Sequence, residues 1–235
     1  MEMDWPHNEY FGNYLSRLIQ KPSYPIICIS VVILQAIVLA ASYDMTPKYP
    51  LWLRFSSDKC NEIYRLLTYA FGHHNIAHFA VNAIMQLIAI PLEAMHGHAR
   101  YIAIWVSSAI VAVMIAREFG LRSAVGASGA CYGLLGARIG NIILNGDDMK
   151  FVWLRVAGLA AVIAVDILNY IYNRSESISY VGHTAGLIWG VLFSVCMLKN
   201  LNERLLEFRA YVACAAACVG CITFCVISYY FDCLN

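Results

Sequence analysis

The residues of this chain best suited to chemistry are a serine, several histidines and an asparagine. Gly126-Ala127-Ser128-Gly129-Ala130 forms a G-x-S-x-G string, the spacing that presents a serine hydroxyl on a sharp strand-to-helix turn in soluble hydrolases. Serine is a poor nucleophile until a base removes its proton, and histidine is the usual base. Ser128 and His183 form the candidate pair for nucleophilic acyl transfer. The tetrahedral intermediate of such a reaction needs donors aimed at its oxyanion. His78 and Asn82, at i and i+4 on one helical face, supply side-chain donors. Backbone N–H groups around Ala127 and Ser128 add unpaired donors at a helix N-terminus.

No strand or soluble domain surrounds that serine. The string opens an apolar run, Cys131 to Leu144, in a chain of 235 residues that is 60% hydrophobic and only 13% charged. Soluble domains average roughly 45–50% and 25%. Stretches long and apolar enough to span a bilayer run over Tyr24–Ser42, Ala77–Leu92, Tyr101–Ala116, Gly126–Leu144, Val152–Tyr172, Val181–Leu198 and Tyr211–Tyr230. The expected fold is therefore all-α, a polytopic membrane helix bundle. A short N-terminal cytoplasmic segment (1–23) precedes a core of six spans (24–198), and a linker leads to a seventh span (199–235). Residues Met1 to Lys21 carry Glu2, Asp4 and Glu9 and lack the basic-then-apolar order of a cleaved signal peptide, so the first span is expected to be an uncleaved anchor.

Counting spans places the chemistry. His73, His78 and Asn82 open span two, Ser128 opens span four, and His183 opens span six. Even-numbered spans run the same way across the membrane, so their starting ends share one face. A serine, histidines and an asparagine from three distant segments thus converge at similar depth. The glycines at 126, 129, 133, 136 and 140 of span four, and at 182, 186 and 190 of span six, form small-residue stripes that let helix backbones approach closely. Those two spans are expected to be neighbours.

Other intramembrane polar groups need partners. Arg138 lies ten residues into span four, ~15 Å below Ser128, and Glu93 lies near the far end of span two; the two are expected to pair or to share a hydrogen-bond network. Asp166 is placed in an interhelical hydrogen bond to a Tyr, Asn or Arg rather than in a catalytic triad. The nine cysteines read as small packing residues, since a metal site would need thiolates in lipid. The net charge of +1 offers no basic surface for nucleic acid.

Basic residues are almost balanced across the two sides, so the positive-inside rule is nearly silent. Four of the outer ones, Lys48, Arg54, Lys59 and Arg65, sit in the first loop (43–72) among Leu51, Trp52, Leu53, Phe55, Tyr64, Leu66 and Leu67. That mixture suits a segment embedded in the interface. Discounting it favours a cytoplasmic N-terminus.

These motifs resemble those of the rhomboid intramembrane serine proteases. The family's G-x-S-x motif stands as Gly126-Ala127-Ser128-Gly129 and is followed by Tyr132. Its H-x-x-G-x-x-x-G pattern runs from His183 to Gly190, and its span-two pattern stands as His73, His78 and Asn82. Glu93 matches the family's acidic residue at that helix's end. Arg65 falls at the family's Trp-Arg pair, with Tyr64 in place of the Trp. The resemblance implies that Ser128 is the nucleophile and His183 the general base of a dyad without an acid. It also implies an oxyanion hole of His78, Asn82 and the Ser128 backbone, with Tyr132 beneath the His183 ring. A seventh span after the core resembles the secretory-pathway rhomboids of eukaryotes, in the Golgi, endoplasmic reticulum or plasma membrane.

The function expected is intramembrane serine endopeptidase, with transmembrane proteins as substrates, membrane lipids as surroundings and no metal or other cofactor. Two other classes compete. A catalytically silent rhomboid-like client-binding protein predicts loss of the Ser or the His, yet both are present. A small transporter or channel predicts polar groups spread in depth, whereas most here cluster at one face.

Overall fold

The computed structural model describes residues 23–45, 49–173, 179–200 and 205–234. The N-terminal segment lies outside them but for residue 23, as do 201–204 of the linker. All seven apolar stretches fold as helices, and the chain is an all-α polytopic bundle. Helix α1 (Ile26–Ala41) leads into a first loop with 3-10 turns at Leu51–Leu53 and Tyr69–Phe71, strand β1 (Phe55–Ser56) and the single-turn helix α2 (Arg65–Thr68). Then follow α3 (Ile76–Ile88), α4 (Ile90–His96), α5 (His98–Glu118), β2 (Ser123–Ala124), α6 (Ser128–Asn145), α7 (Val152–Asn173), α8 (Tyr180–Met197) and α9 (Leu205–Leu234).

Span two is the element that departs from its expected form. It breaks at Ala89 (φ −86°, ψ 0°) into α3 and α4, with a proline in the first turn of α4. Pro91 has no N–H to donate and its ring crowds the preceding turn. The break turns Glu93 towards α1. Its buried carboxylate accepts from the Ile27 and Cys28 N–H groups, both at 2.9 Å, and contacts His98 Nδ1 at 2.6 Å. These amides belong to the first turn of α1, whose N-cap Pro25 offers no side-chain bond, so Glu93 caps α1 from another helix. The expected Glu93–Arg138 pairing is therefore not what forms. Arg138 instead lines, with Arg155, a cavity of about 180 Å³ between α3, α6 and α7.

Helix α6 is the axis of the bundle. Among the described residues, five helical stretches are long and apolar enough to cross a membrane, Ile76–His96, His98–Glu118, Val152–Tyr172, Tyr180–Met197 and Arg209–Phe231, and α6 is not among them. It packs on protein rather than lipid, with thirteen buried residues of eighteen, so its glycines and asparagines need not be lipid-soluble. Its glycine stripe meets that of α8 with no side chain between. A Cβ on Gly136 would stand 2.1 Å from the Leu187 carbonyl oxygen, and one on Gly190 only 2.0 Å from that of Gly133. Only glycine permits that backbone contact.

The remaining helices wrap this axis. Helix α9 lies on α5 and α8, where Cys218 packs with Val111 and Trp189 and Cys225 joins the main core. The Tyr229 hydroxyl donates to the Cys60 carbonyl in the first loop, and the Arg117 guanidinium lies 5.0 Å above the Tyr229 ring. Helix α7 is the least buried, with most side chains facing outward. It holds to the bundle through Leu159, Val162 and Ile163, which pack against Tyr132 and Leu135 of α6.

Candidate active site

Three short structural devices fix the strand-to-helix turn that carries Ser128. The antiparallel pair of β1 and β2, Phe55 opposite Ala124 and Ser56 opposite Ser123, ties the first loop to the segment entering α6. The Gly126 N–H then donates to the Tyr69 carbonyl at 2.9 Å, and the Tyr69 hydroxyl donates to the Ala109 carbonyl at 2.7 Å. Gly126 itself adopts φ +123°, a conformation open to glycine. A Cβ there would also collide with the His78 ring at 2.6 Å. Ser128 is thus the first residue of α6, preceded by a bend that no other residue makes cheaply.

The Arg65 guanidinium holds the first loop in shape. Buried at 5% exposure, it donates to the Leu51 and Arg54 carbonyls at 2.7 Å each and pairs with Glu62 at 2.6 Å. The Tyr64 hydroxyl also donates to Glu62. Those bonds, Tyr64 first and Arg65 next, hold the Glu62 carboxyl down at about 2. Leu51, Trp52, Ile63 and Tyr64 project outward from the same loop, an arrangement suited to the membrane interface.

His78 and Asn82 face the Gly126 bend. The Asn75 side chain caps α3 by accepting from the His78 N–H at 2.8 Å, which fixes the start of that helix. Asn82, 2% exposed, has an amide nitrogen with no hydrogen-bond partner among the described residues, and that nitrogen points at Gly126. A buried donor left unpaired costs roughly 1–3 kcal/mol, so its persistence calls for a reason. The α6 N-terminus beside it has no side-chain cap. His73 is buried and packs edge-on to His78, with ring centroids 5.1 Å apart. Burial, with the neighbouring His78 second, pushes its ring down to about 3, so it is neutral at physiological pH.

His183 enters from α8. Ser179 caps that helix, its hydroxyl oxygen accepting from the Gly182 N–H at 3.1 Å. The Tyr132 ring, one turn after Ser128, stacks on the imidazole at 4.3 Å and 11°. The Tyr180 ring meets it edge-on at 6.1 Å. His183 Nδ1 lies 3.1 and 3.3 Å from the two carboxylate oxygens of Asp166. Asp166 thus has the expected tyrosine partner, Tyr132 of α6, and adds His183, which the sequence reading did not assign to it. It sits three and seven residues after Ile163 and Leu159, on the inward stripe of α7, and that phase carries it to the His183 ring.

The structure thus brings His73, His78, Asn82, Ala127, Ser128, Tyr132 and His183 to one end of the bundle, and leaves Glu93 and Arg138 apart from them. Two polar groups went unread in the sequence. Gln86 Nε2 donates to Gln35 Oε1 at 2.9 Å and to the Asn82 carbonyl at 3.1 Å, while Trp105 Nε1 donates to Gln86 Oε1 at 2.9 Å. Gln35 Nε2 closes the chain on the Ala70 carbonyl. This satisfied network underlies Asn82, and amides in the middle of spans one and two were its sequence signal. Among the described residues, no group of three or more His, Cys, Asp or Glu is placed to hold a metal ion.

Over much of its length the chain is similar to known proteins. The family model described as the rhomboid domain matches residues 60–200. Rhomboid-related protein 1 of Caenorhabditis elegans is 32% identical over 153 residues, 62% of this chain and 43% of that protein. Rhomboid-related protein 3 of Homo sapiens is 29% identical over 61% of this chain and 39% of its own length. Rhomboid protease GluP of Bacillus subtilis is 29% identical over 66% of this chain and 31% of its own. Inactive rhomboid-related protein 2 of Caenorhabditis elegans also matches, at 28% over 59% of this chain and 42% of its own. The chain spans well under two thirds of the length of each of these four relatives.

Proposed function

The chain belongs to the rhomboid family, and from that premise we propose that it is an intramembrane serine endopeptidase acting through Ser128 and His183. One observation carries the reading. The starts of α3, α6 and α8 meet, with the unpaired Asn82 amide and the His78 ring against Gly126, and His183 stacked one turn beyond Ser128. The Asn82 donor lies beside the turn that carries Ser128, where a catalytic role would use it.

The chemistry follows from the groups present. Ser128 Oγ attacks the scissile carbonyl carbon while its proton passes to His183 Nε2. The carbonyl oxygen becomes an oxyanion within reach of Asn82, His78 and the uncapped α6 N-terminus, and each such donor contributes about 2.7–4 kcal/mol. As the intermediate collapses, the C–N bond breaks and the leaving amine takes the proton from His183. Water then attacks the Ser128 ester with His183 again as base, releasing the acid and restoring the serine. Tyr132 limits rotation of the imidazole, and His73, neutral and buried, supports the His78 ring.

Substrates on this reading are transmembrane segments of other membrane proteins, cut near the end of the bilayer where α6 begins. A helical scissile carbonyl is engaged in its own helix, so segments with small residues at the cut and helix-weakening residues below it are favoured. No metal or other cofactor takes part. A multi-pass protein of the secretory pathway with a cytoplasmic N-terminus fits this role.

The test is cleavage of fluorogenic transmembrane peptides in liposomes of phosphatidylcholine. The reading predicts turnover by the wild type and none by Ser128→Ala or His183→Ala. Turnover that survives Ser128→Ala refutes it, and a silent wild type, folded by thermal melt, returns the chain to the client-binding reading.

A further inference from the structure

We propose that Asp166 is a positioning residue that completes a Ser–His–Asp arrangement across α6, α7 and α8; this rests on the serine protease reading above. The resemblance implies a dyad with no acid, yet a carboxylate stands at Nδ1 of the His183 ring, which leaves Nε2 for the serine on that reading. Both its oxygens lie within hydrogen-bond reach of Nδ1, at 3.1 and 3.3 Å. The side chains are 21% and 11% exposed, so the contact is largely sheltered from competing water.

The placement is built rather than incidental. Leu159, Val162, Ile163 and Asp166 fall at i, i+3, i+4 and i+7 of α7, the spacing of one helical stripe. The first three pack on Tyr132 and Leu135, and that packing delivers Asp166 to the imidazole. Tyr132 bridges the parts: its ring stacks on His183 and it interacts with the Asp166 carboxylate. On the next turn Tyr170 packs edge-on to Tyr180 at 4.9 Å, and Tyr180 itself meets His183. The imidazole is thus enclosed by Tyr132, Tyr180 and Asp166.

The consequence is a fixed tautomer. A carboxylate at Nδ1 keeps the proton there, leaving Nε2 with the free lone pair that the Ser128 hydroxyl needs. When His183 takes the serine proton, the imidazolium that forms faces the Asp166 charge and is stabilised by it. The carboxylate itself remains unprotonated throughout, so no atom or electron is added to the scheme above. Because α7 is the least buried helix of the bundle, seating of α7 sets whether the acid is in place.

The alternative is that Asp166 is merely an intramembrane carboxylate satisfied by the nearest ring. Asp166→Ala, Asp166→Asn and Asp166→Glu, measured beside wild type in liposomes with the fluorogenic peptides, separate the two. The proposal predicts that kcat falls about tenfold or more in Asp166→Ala and Asp166→Asn. KM and the thermal midpoint stay near wild type, and Asp166→Glu recovers part of the rate. Unchanged kcat, or a loss that follows the thermal midpoint alone, overturns it.

A second readout does not depend on turnover. Nitrogen-15 spectra of the histidines, with His183 assigned by its absence in His183→Gln, are predicted to show a single Nδ1–H tautomer in the wild type. In Asp166→Ala the two tautomers are predicted to mix. Identical His183 spectra in the two proteins overturn the proposal even if the wild type proves inactive. A distinct Nδ1–H tautomer in an inactive wild type supports the positioning while refuting the protease.

Discussion

At the scale of single residues, Gly126 bears the sharpest constraint. It combines φ +123° with a vacant Cβ position 2.6 Å from the His78 ring. Gly126→Ala is therefore strained twice, in the backbone and against a ring that also packs on His73 and His74. The expected result is a destabilisation of about 1–3 kcal/mol, read by thermal unfolding in detergent, with loss of fluorophosphonate labelling.

His73 makes a prediction about pH. Its folded pKa of about 3 lies below the ordinary 6.5, so between those values the unfolded chain binds more protons than the folded one. The contribution is fully present above pH 6.5 and is lost as pH falls towards 3. The thermal midpoint is expected to drop over that window, and His73→Phe to flatten part of the drop. An identical pH dependence in the two proteins contradicts this account of the ring. Glu62, held at about 2, acts in the same sense between pH 4.5 and 2.

At the scale of elements, the α6–α8 contact positions the candidate pair, and it was readable because its cause is local composition. Glycines three and four apart on two spans permit only close approach, and the structure brings the Gly190 and Gly133 backbones together. Gly190→Val places methyl groups where the Gly133 carbonyl stands. It is expected to force the helices apart, lowering the unfolding midpoint by more than Gly220→Val on the open face of α9, where no atom lies within 4 Å of the Cβ site. Equal effects of the two substitutions contradict the close contact.

The Glu93 cap on α1 was not readable in this way, because it depends on the direction of the chain after the break at Ala89. Glu93→Ala leaves the Ile27 and Cys28 amides without their acceptor and is expected to cost about 1–3 kcal/mol. Denaturation in sodium dodecyl sulfate measures it. A midpoint unchanged by Glu93→Ala contradicts the cap. For Asp166 the tyrosine partner was legible and the His183 contact was not, since the latter depends on how α7 seats against α6 and α8.

At the scale of the molecule, the outer helices advertise the membrane while the central one does not. Helices α7 and α9, apolar along their length, expose most of their side chains at the outside of the bundle. Helix α6 carries Ser128, Arg138, Asn141 and Asn145 and is surrounded by protein. Span counting worked because the alternation of direction is topological and needs no side-chain detail. It placed the starts of three spans together, whereas distances within the site follow from packing that no spacing encodes. The Gln35–Gln86–Trp105 network beneath Asn82 is of that second kind.

The central claim is that Ser128 is a nucleophile activated by His183. Its most direct measurement is mass spectrometry of the protein after reaction with a fluorophosphonate in liposomes. The account predicts one adduct, on the peptide bearing Ser128, and none in His183→Ala. An adduct on another residue, or equal labelling of Ser128 without His183, would contradict it.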